Sequence, residues 1–200
     1  MTDNIPNYSN DEVVFISDTH FGHANIIKYC DRPFKFPDTS KMDELMWEEM
    51  LKADEDGKVI VHVGDFIFYH QDTWVPKFKN ASKHILVLGN HDKPVPTKDV
   101  YPRVFGNIIG HKSTWREHYH KISVNYVPII LSHEPQKNLH GCQFNIYGHH
   151  HNNMVRNPAQ FLPDYSWIMG STKHINVGVE LTGYKPVTFE EAKQLQRPKL

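Results

Sequence analysis

Short apolar runs rich in β-branched residues recur along the chain and constrain its fold more than any other feature. Such runs, bounded by polar segments, are typical of largely buried strands. They are VVFIS (13–17), KVIVHV (58–63), HILVL (84–88), VPIILS (127–132) and QFNIY (143–147), followed by INVGVE (175–180) as a late strand. The pattern predicts a protein built around several short, buried strands.

The segment SKMDELMWEEMLKA (40–53), between the first two runs, has a helical pattern. Ser40 can cap this helix, and Asp43 occupies the reciprocal capping position. Apolar residues recur at helical spacing at Met42, Leu45, Met46 and Met50. A shorter link containing proline, QDTWVPKFKN (71–80), precedes the third run, and EEAKQLQ (190–196) predicts a closing helix.

The order of these segments predicts an α/β protein. Strand, helix and strand in the first half indicate parallel crossovers, and the closely spaced strands after residue 120 indicate antiparallel pairing. The sequence therefore predicts a mixed sheet or a pair of sheets.

Length and charge exclude several classes of protein. A chain of 200 residues suits one domain, covering residues 1–200. Lys and Arg total 22 against 23 Asp and Glu, so no general basic field is present to hold long nucleic acid. The apolar runs are far shorter than the roughly 20 residues that span a bilayer. We expect a soluble, cytoplasmic protein that associates with no membrane and has no obligate protein partner.

Polar residues of the metal-binding types follow five of the predicted strands. They are Asp18 and His20, then Asp65, then Asn90, His91 and Asp92, then His133, and finally His149 and His151. Glycine precedes these residues at three of the strand ends, where the chain must leave the sheet sharply. In an open α/β sheet such ends converge on one crevice.

The spacing of GHHH (148–151) predicts which histidines share a face. In an extended segment side chains alternate, so His149 and His151 point one way and His150 the other. Asp18 and His20 share a face by the same argument. A single histidine is ordinarily a hydrogen-bonded core or surface residue, but five coordinated strand ends favour a shared metal site.

The candidate ligands outnumber the coordination positions of a single ion. They are Asp18, His20, Asp65, Asn90, His133, His149 and His151. Such a set suits two divalent ions that share a carboxylate. Oxygen and imidazole donors without thiolate favour borderline or hard cations such as Mn, Fe, Zn or Ni, of which we expect Mn. Two ions about 3.5 to 4 Å apart can acidify a bridging water for in-line attack at phosphorus. The ligand set therefore predicts phosphoester hydrolysis.

The motifs DTH, GD, GNHD, SH and GHHH, in this order, resemble the signature of calcineurin-like metallophosphoesterases. They extend from residue 18 to residue 151. ISDTHFGHANIIKYCDRPF and NVGVELTGYKPVTFEEA resemble a small, single-domain microbial and phage branch of that superfamily. The resemblance implies a four-layer α/β/β/α sandwich with a dimetal site at the strand ends. It also implies that the protein works in the cytoplasm of a microbe or of a phage-infected host cell.

The resemblance also implies roles for individual residues. Asp18, His20 and His151 would hold the first metal, Asn90, His133 and His149 the second, and Asp65 would bridge them. His91 would contact the scissile phosphate and assist departure of the leaving group. Asp65 is followed by FIFYH rather than the VDRG of the protein phosphatase branch, which removes the family argument for a phosphoprotein substrate.

Other residues near the motifs have alternative interpretations. His23 and Arg32 are candidate substrate contacts, although a structural salt bridge is the commoner role of a lone arginine. Asn25 can contact phosphate or cap the following helix. His62 lies within a buried strand and is interpreted as structural. No role is predicted for His111, His118, His120, Lys173 and His174.

The favoured function is metal-dependent hydrolysis of a phosphodiester, such as a cyclic nucleotide or a short nucleic-acid end. A phosphomonoesterase or a nucleotide pyrophosphatase is the alternative within the same class. A non-catalytic scaffold of the same fold is the alternative from a different class, but we expect a scaffold to have lost ligands. A metal store would not need His91 beside its ligands.

Overall fold

Two β-sheets form the centre of the molecule in the computed structural model, which describes residues 5–68, 75–92, 101–110, 116, 118–161 and 164–195. The strands are β1 (Asn7–Tyr8), β2 (Val13–Ile16), β3 (Val59–His62), β4 (Ile85–Val87), β5 (Asn107–Ile109), β6 (His120–Val124), β7 (Val127–Leu131), β8 (Phe144–Tyr147) and β9 (His174–Asn176). One sheet has the order β2-β3-β4-β5 and the other the order β1-β6-β7-β8-β9. The predicted pair of sheets is confirmed.

Five α-helices accompany the sheets in the described residues. They are α1 (Ala24–Tyr29), α2 (Ser40–Glu55), α3 (Asn153–Arg156), α4 (Val179–Thr182) and α5 (Phe189–Leu195), with 3₁₀ turns at Ala81–Lys83, Tyr101–Arg103 and Pro158–Phe161. None of these helices, which all lie in the described part of the chain, is long and apolar enough to cross a membrane. The predicted link at 71–80 and His111 lie partly or wholly outside the described residues.

The central helix α2 is confirmed, but its predicted capping is wrong. Thr39 is the N-cap residue, and Ser40 is already helical. The Thr39 hydroxyl donates to Asp43 Oδ2 at 2.8 Å, and the same oxygen accepts the Gly22 N–H at 3.1 Å. Asp43 therefore fixes the start of α2 against the loop after β2.

Strand pairing is parallel throughout the first sheet, as the strand, helix, strand order predicts. The prediction of antiparallel pairing after residue 120 holds only for β6 and β7. There the chain reverses through Asn125 and Tyr126, which have φ of 49° and 63°. β7, β8 and β9 pair in parallel, since the long connections between them allow the chain to cross over.

The predicted late strand is shorter than INVGVE. β9 ends at Asn176, and Val179 already begins α4. The Val179 N–H donates to the Ser17 carbonyl at 3.1 Å instead of to a neighbouring strand of the second sheet. This contact brings α4 to the carboxyl end of β2.

Side chains on both faces of the first sheet are buried, which explains its continuous apolar runs. Val13 and Phe15 point into a core shared with the second sheet, whereas Val14 and Ile16 pack against α2. Beside the outer face of the second sheet, the Tyr147 hydroxyl contacts Met154 of the short helix α3 at 3.9 Å. The result is the predicted α/β sandwich, with few helices.

Candidate metal centre

The loops after β2, β3 and β8 meet at one edge of the sandwich. The Asp18 N–H donates to the Gly64 carbonyl and the His20 N–H to the Asp65 carbonyl, each at 3.0 Å. The loop after β8 crosses from the second sheet, and the His149 N–H reaches both carboxylate oxygens of Asp18 at 3.0 Å. Backbone hydrogen bonds therefore join strand ends from both sheets into one site.

Most of the predicted ligands have an unusual backbone conformation. Positive φ angles occur at Asp18 (58°), His20 (49°), Asp65 (56°), His149 (67°) and His151 (49°). The left-handed region is uncommon for residues other than glycine and costs on the order of 1 to 3 kcal/mol at each position. Such conformations cluster at functional sites, where the surrounding structure maintains them.

The prediction that residues 149–151 are extended is wrong. Left-handed residues flank His150, and the His150 N–H donates to the Gly148 carbonyl at 2.8 Å, which makes a tight turn. The turn directs His149 and His151 into the site. It places the His150 ring against Tyr165, with ring centroids 4.4 Å apart.

Asp18, His20 and His151 form a first group of potential ligands. Their donor atoms all lie within 4.8 Å of one another, and His151 Nε2 is 3.7 Å from Asp18 Oδ1. Burial lowers the pKa of His20 well below its ordinary value, so the imidazole is neutral. Neither ring nitrogen of His20 has a hydrogen-bond partner among the described residues. A buried imidazole in this state is suited to bind a metal ion.

Asp65, Asn90, His133 and His149 form a second group beside the first. His133 Nε2 lies 3.3 Å from Asp65 Oδ2 and 3.0 Å from Asn90 Oδ1. His149 Nδ1 lies 3.1 Å from the same oxygen of Asn90. Asp65 Oδ2 is also 3.5 Å from His20 Nε2 in the first group. Asp65 therefore lies between the two groups, where a bridging carboxylate would be.

The orientation of His133 tests whether the second group fits a metal ion. His133 Nδ1 donates to the Val63 carbonyl at 2.8 Å, so a neutral ring directs the lone pair of Nε2 at the Asp65 and Asn90 oxygens. Lone pairs that face one another repel unless a proton or a metal ion lies between them. Two donors, each about 2.1 Å from one ion, are about 3.0 to 3.5 Å apart. The observed separations fit that arrangement.

The same crowding of oxygens changes the protonation of His133. Burial alone would lower its pKa, but the Asp65 carboxylate outweighs burial and raises the pKa to about 9. Burial would raise the pKa of Asp65, but His133 lowers it. The site therefore attracts positive charge, which a proton or a metal ion can supply.

Glycines allow the ligand loops to approach closely. A Cβ at Gly89 would lie 2.6 Å from Asp65 N and 2.9 Å from His133 Nε2. A Cβ at Gly148 would lie 2.8 Å from Ser17 Cβ and closer still to its hydroxyl. A larger residue at either position would displace a ligand.

His91 lies beside the two groups and lines the adjacent cleft. Its N–H donates to Asp65 Oδ1 at 2.8 Å, which fixes the loop after β4 to the candidate bridging carboxylate. Its ring centroid is 5.4 Å from that of His20 and 5.0 Å from that of Phe68. The backbone of His91 therefore supports the two groups of potential ligands while its side chain faces the cleft.

Asp92 supports the site in a way that the sequence analysis did not predict. Its carboxylate accepts the N–H groups of Asp65 and Phe66 at 2.9 Å and of Gly89 at 2.8 Å. The Tyr101 hydroxyl donates to it at 3.0 Å. Asp92 thereby joins the loops after β3 and β4. Its position in the GNHD motif was the sequence signal that could have predicted this role.

His23 lies in the cleft, as a substrate contact requires. Its ring stacks on Phe68 with centroids 3.6 Å apart and an interplanar angle of 9°. Burial, with a smaller effect of His91, lowers the pKa of His23 to about 4. Of the two alternatives for Asn25, capping is wrong, because His23 is the N-cap residue of α1 and Asn25 lies inside the helix. Asn25 lines the cleft, so a phosphate contact stays a prediction.

Arg32 is buried, with 4% of its surface exposed, and does not line the cleft. Its guanidinium pairs with Glu180 Oε1 at 2.7 Å, so the salt-bridge alternative describes it and the expected phosphate contact does not. Glu180 was missed by the sequence analysis, since 148 residues separate it from Arg32. No local pattern marks such a pair.

Four described histidines without a predicted ligand role are buried or half-buried, namely His62, His118, His120 and His174. His62 is buried in β3, with Nε2 3.0 Å from the Thr19 hydroxyl, as expected for a structural residue. His174 lies between the Ser171 hydroxyl at 2.8 Å and the Gln136 carbonyl at 3.0 Å. His118 and His120 are half-buried at and before β6.

Comparisons with known proteins identify the family of the chain. The model of the calcineurin-like phosphoesterase superfamily domain matches residues 12–185. The chain is 31% identical over 189 residues to an uncharacterized protein of Methanocaldococcus jannaschii, covering 90% of this chain and 88% of that protein. It is also similar to the crystal structure of a protein of unknown function from Aquifex aeolicus, with a TM-score of 0.61, 26% identity, and coverage of 92% and 98% of the two chains. The chain therefore belongs to the calcineurin-like phosphoesterase superfamily.

Proposed function

We propose that the protein hydrolyses a phosphodiester with the help of two divalent metal ions. Membership of the superfamily indicates metal-dependent phosphoester hydrolysis in general. The observation that carries the finer proposal is the position of Asp65, which lies between two groups of donor atoms and also anchors His91. Two ligand groups that share a carboxylate match the arrangement of a dinuclear hydrolase.

The donor atoms determine which ions the site would accept. One ion would be held by Asp18, His20, Asp65 and His151, and the other by Asp65, Asn90, His133 and His149. Oxygen and imidazole donors without thiolate favour cations such as Mn, Fe, Zn or Ni, and Mn is the ion that we propose. When bound, the ions would supply Lewis acidity at the phosphoryl oxygens and lower the pKa of a water nucleophile.

His91 would act on the substrate itself. Its N–H is held by Asp65 Oδ1 at 2.8 Å, so the loop is fixed while the imidazole faces the cleft. From this position the ring can donate a hydrogen bond to charge that develops on phosphorus, or a proton to a departing alkoxide. A histidine with this role distinguishes a catalyst from a protein that only stores metal.

The wall of the cleft suggests the kind of group that the phosphodiester carries. Phe68 and His23 form a stacked pair, and Tyr29 lies at the mouth with 64% of its surface exposed. The cleft has a volume of about 440 Å³, and Ile26 also lines it. Flat aromatic walls bind nucleobases by stacking, with about 1 to 3 kcal/mol per base. A cyclic nucleotide or a short nucleic-acid end fits this surface.

The test is a panel of substrates with metal-stripped protein reloaded with Mn, Ni, Zn or Mg. The panel contains an aryl phosphodiester, the matching monoester, cyclic nucleotides, a dinucleotide and a nucleotide pyrophosphate. We expect turnover of the aryl phosphodiester that Mn or Ni stimulates and that Asp65→Ala lacks. Absence of turnover with every metal would contradict the proposal that the protein is an enzyme. A preference for the monoester would favour a phosphomonoesterase, and a preference for the pyrophosphate would favour a nucleotide pyrophosphatase.

The aromatic wall has a separate test. Tyr29→Ala should raise KM for a cyclic nucleotide and leave KM for a diester with small alkyl groups unchanged, because only the nucleotide has a base to stack. Val155, which is 72% exposed on α3, offers a matched surface control as Val155→Ala. An equal change in KM for both substrates would remove the base-stacking role from Tyr29.

A further inference from the structure

The guanidinium of Arg32 is used entirely within the protein. Its Nε and Nη2 pair with Glu180 Oε1 at 2.8 and 2.7 Å. Nη2 also donates to the Asp18 carbonyl at 2.7 Å, and Nη1 donates to the Thr19 carbonyl at 3.0 Å. The Met42 sulfur lies 3.3 Å from Nη1. Arg32 thus holds the backbone of the turn that carries the first metal ligands, where Asp18 has φ of 58°.

Glu180 extends this arrangement to the second sheet. The oxygen that binds Arg32 is also 3.0 Å from His151 Nδ1. Because an ionised carboxylate only accepts hydrogen bonds, Nδ1 must carry the proton. The Arg32 guanidinium, 2.7 Å from Oε1 and buried with it, pairs with the charged form of this carboxylate. The other ring nitrogen, Nε2, is then the one that faces Asp18.

We infer that Arg32 and Glu180 are positioning residues that set His151 and the Asp18 turn for binding of the first metal ion. The inference rests on the metal-dependent function proposed above. Glu180 selects the imidazole tautomer and the ring direction of His151. Arg32 holds Glu180 and the Asp18 turn in one geometry, so that ligands from two sheets face the same space.

The chemistry of the pair supports positioning over stability alone. A buried ion pair contributes little net stability compared with apolar residues of the same size, whereas a carboxylate that orients a ligand histidine strengthens metal binding. Arginine is suited to this role because its planar group donates in several fixed directions at once. Lysine would keep the charge but could not bind Glu180 and two carbonyls in the same way.

An ion on the Nδ1 side of His151 is a weaker interpretation of the same residues. The Cys30 sulfur, a His151 nitrogen and a Glu180 oxygen also lie within 4.8 Å of one another. The Arg32 guanidinium already occupies Glu180 Oε1 at 2.7 Å, however, and its charge would repel a cation there. The Nδ1 side therefore orients the ring, and the Nε2 side faces the metal centre.

The experiment is a Mn²⁺ titration of metal-free wild-type protein, Glu180→Gln and Arg32→Lys, without substrate. Glu180→Gln keeps the shape of the side chain and removes its charge. We expect one of the two Mn²⁺ ions to bind about 10- to 100-fold more weakly in both variants, while the other ion binds as in wild type. Asp54→Asn is the matched control, since Asp54 is a buried carboxylate that binds a histidine away from the site. It should bind both ions normally.

A second measurement separates positioning from general destabilisation. Imidazole nitrogen NMR shifts of the metal-free protein, recorded at a pH high enough for the His151 ring to be neutral, should report a proton on Nδ1 in wild type and a mixture of tautomers in Glu180→Gln. Unchanged shifts would contradict the role of Glu180. Arg32→Lys tests the same arrangement through the other partner if Glu180→Gln gives little folded protein.

The outcomes distinguish this inference from the proposed function. A wild-type protein that bound no Mn²⁺ would overturn both. If wild type bound two Mn²⁺ ions and both variants bound them with the same affinities as wild type, only the positioning role would be overturned. A raised KM in Arg32→Lys with unchanged Mn²⁺ affinity would instead support the phosphate contact that the sequence analysis suggested for Arg32.

Discussion

The two ends of β4 each bury histidine against aspartate, but with opposite consequences. At the amino end, His84 Nδ1 accepts the Ile60 N–H at 3.1 Å and Nε2 lies 3.0 Å from Asp54 Oδ1. Every polar atom there meets a partner of the complementary kind. At the carboxyl end, His133 Nε2 instead faces the oxygens of Asp65 and Asn90. Burial is common to both ends, so the excess of oxygen atoms around His133 Nε2, which a proton or a metal ion must balance, is what marks the candidate metal site.

The supporting backbone differs in the same way. Asp54 lies in the last turn of α2, and its carboxylate accepts the Lys79 and Asn80 N–H groups at 2.6 and 2.8 Å. The loops at the carboxyl ends are held in left-handed conformations such as that of Asp65. The first arrangement closes a turn, whereas the second accepts backbone strain to place donor atoms. Substitutions at the two ends should therefore affect different properties.

Asp65→Ala should have the largest effect on function. Loss of the carboxylate between the two groups should weaken both ions and the loop of His91, and lower kcat/KM by more than about 100-fold. Metal analysis and steady-state kinetics on the aryl phosphodiester measure this. Asp54→Asn, with the same loss of a buried charge, should keep both ions. Equal metal loss in the two variants would remove the distinction between the two ends.

His91→Ala should lower turnover while both ions are retained. General acid catalysis and charge stabilisation are typically worth about 10² to 10⁴ in rate. The loss should be larger for a poor alkoxide leaving group than for nitrophenolate, which needs no proton. Steady-state kinetics on substrates with the two leaving groups, together with metal analysis, test whether His91 acts in catalysis. Full metal with unchanged kinetics on both would exclude His91 from the mechanism.

The three adjacent histidines should differ in their effect on metal content. His149→Ala should reduce the metal content from two ions toward one, because His149 Nδ1 faces Asn90 Oδ1 at 3.1 Å. His150→Ala should retain two ions, since the His150 ring lies against Tyr165. Elemental analysis after equilibration with limiting free Mn²⁺ measures the difference. Two ions in His149→Ala would contradict the ligand assignment.

Substitution of His84, at the amino end of β4, should have the smallest effect, and only on the stability of the fold. Burial lowers the pKa of His84 below its ordinary value, although Asp54 opposes the shift. The neutral ring is therefore favoured in the fold, and its contribution is complete above about pH 6.5 and is lost as the pH falls through the lowered pKa. In urea unfolding of metal-free protein, wild type should lose more stability on acidification than His84→Gln. Parallel stability curves would show that His84 does not titrate on unfolding.

The strands and the candidate ligands were accessible from sequence because both leave local patterns. Apolar runs mark β2, β3 and β4, and a ligand-type residue follows each of them. The left-handed turn at His149 to His151 was not accessible, because spacing alone cannot distinguish a turn from an extended segment. The same holds for the Arg32 and Glu180 pair, whose members are brought together only by the contact of α4 with the end of β2. Pairing of β7, β8 and β9 depended likewise on how long loops cross the sheet.

Anomalous diffraction from crystals loaded with Mn²⁺ tests the central claim most directly. The account predicts two peaks at the carboxyl ends of the strands, about 3.5 to 4 Å apart, with Asp65 between them. Asp18, His20 and His151 should surround one peak, and Asn90, His133 and His149 the other. A single peak, or peaks that do not contact Asp65, would contradict the account.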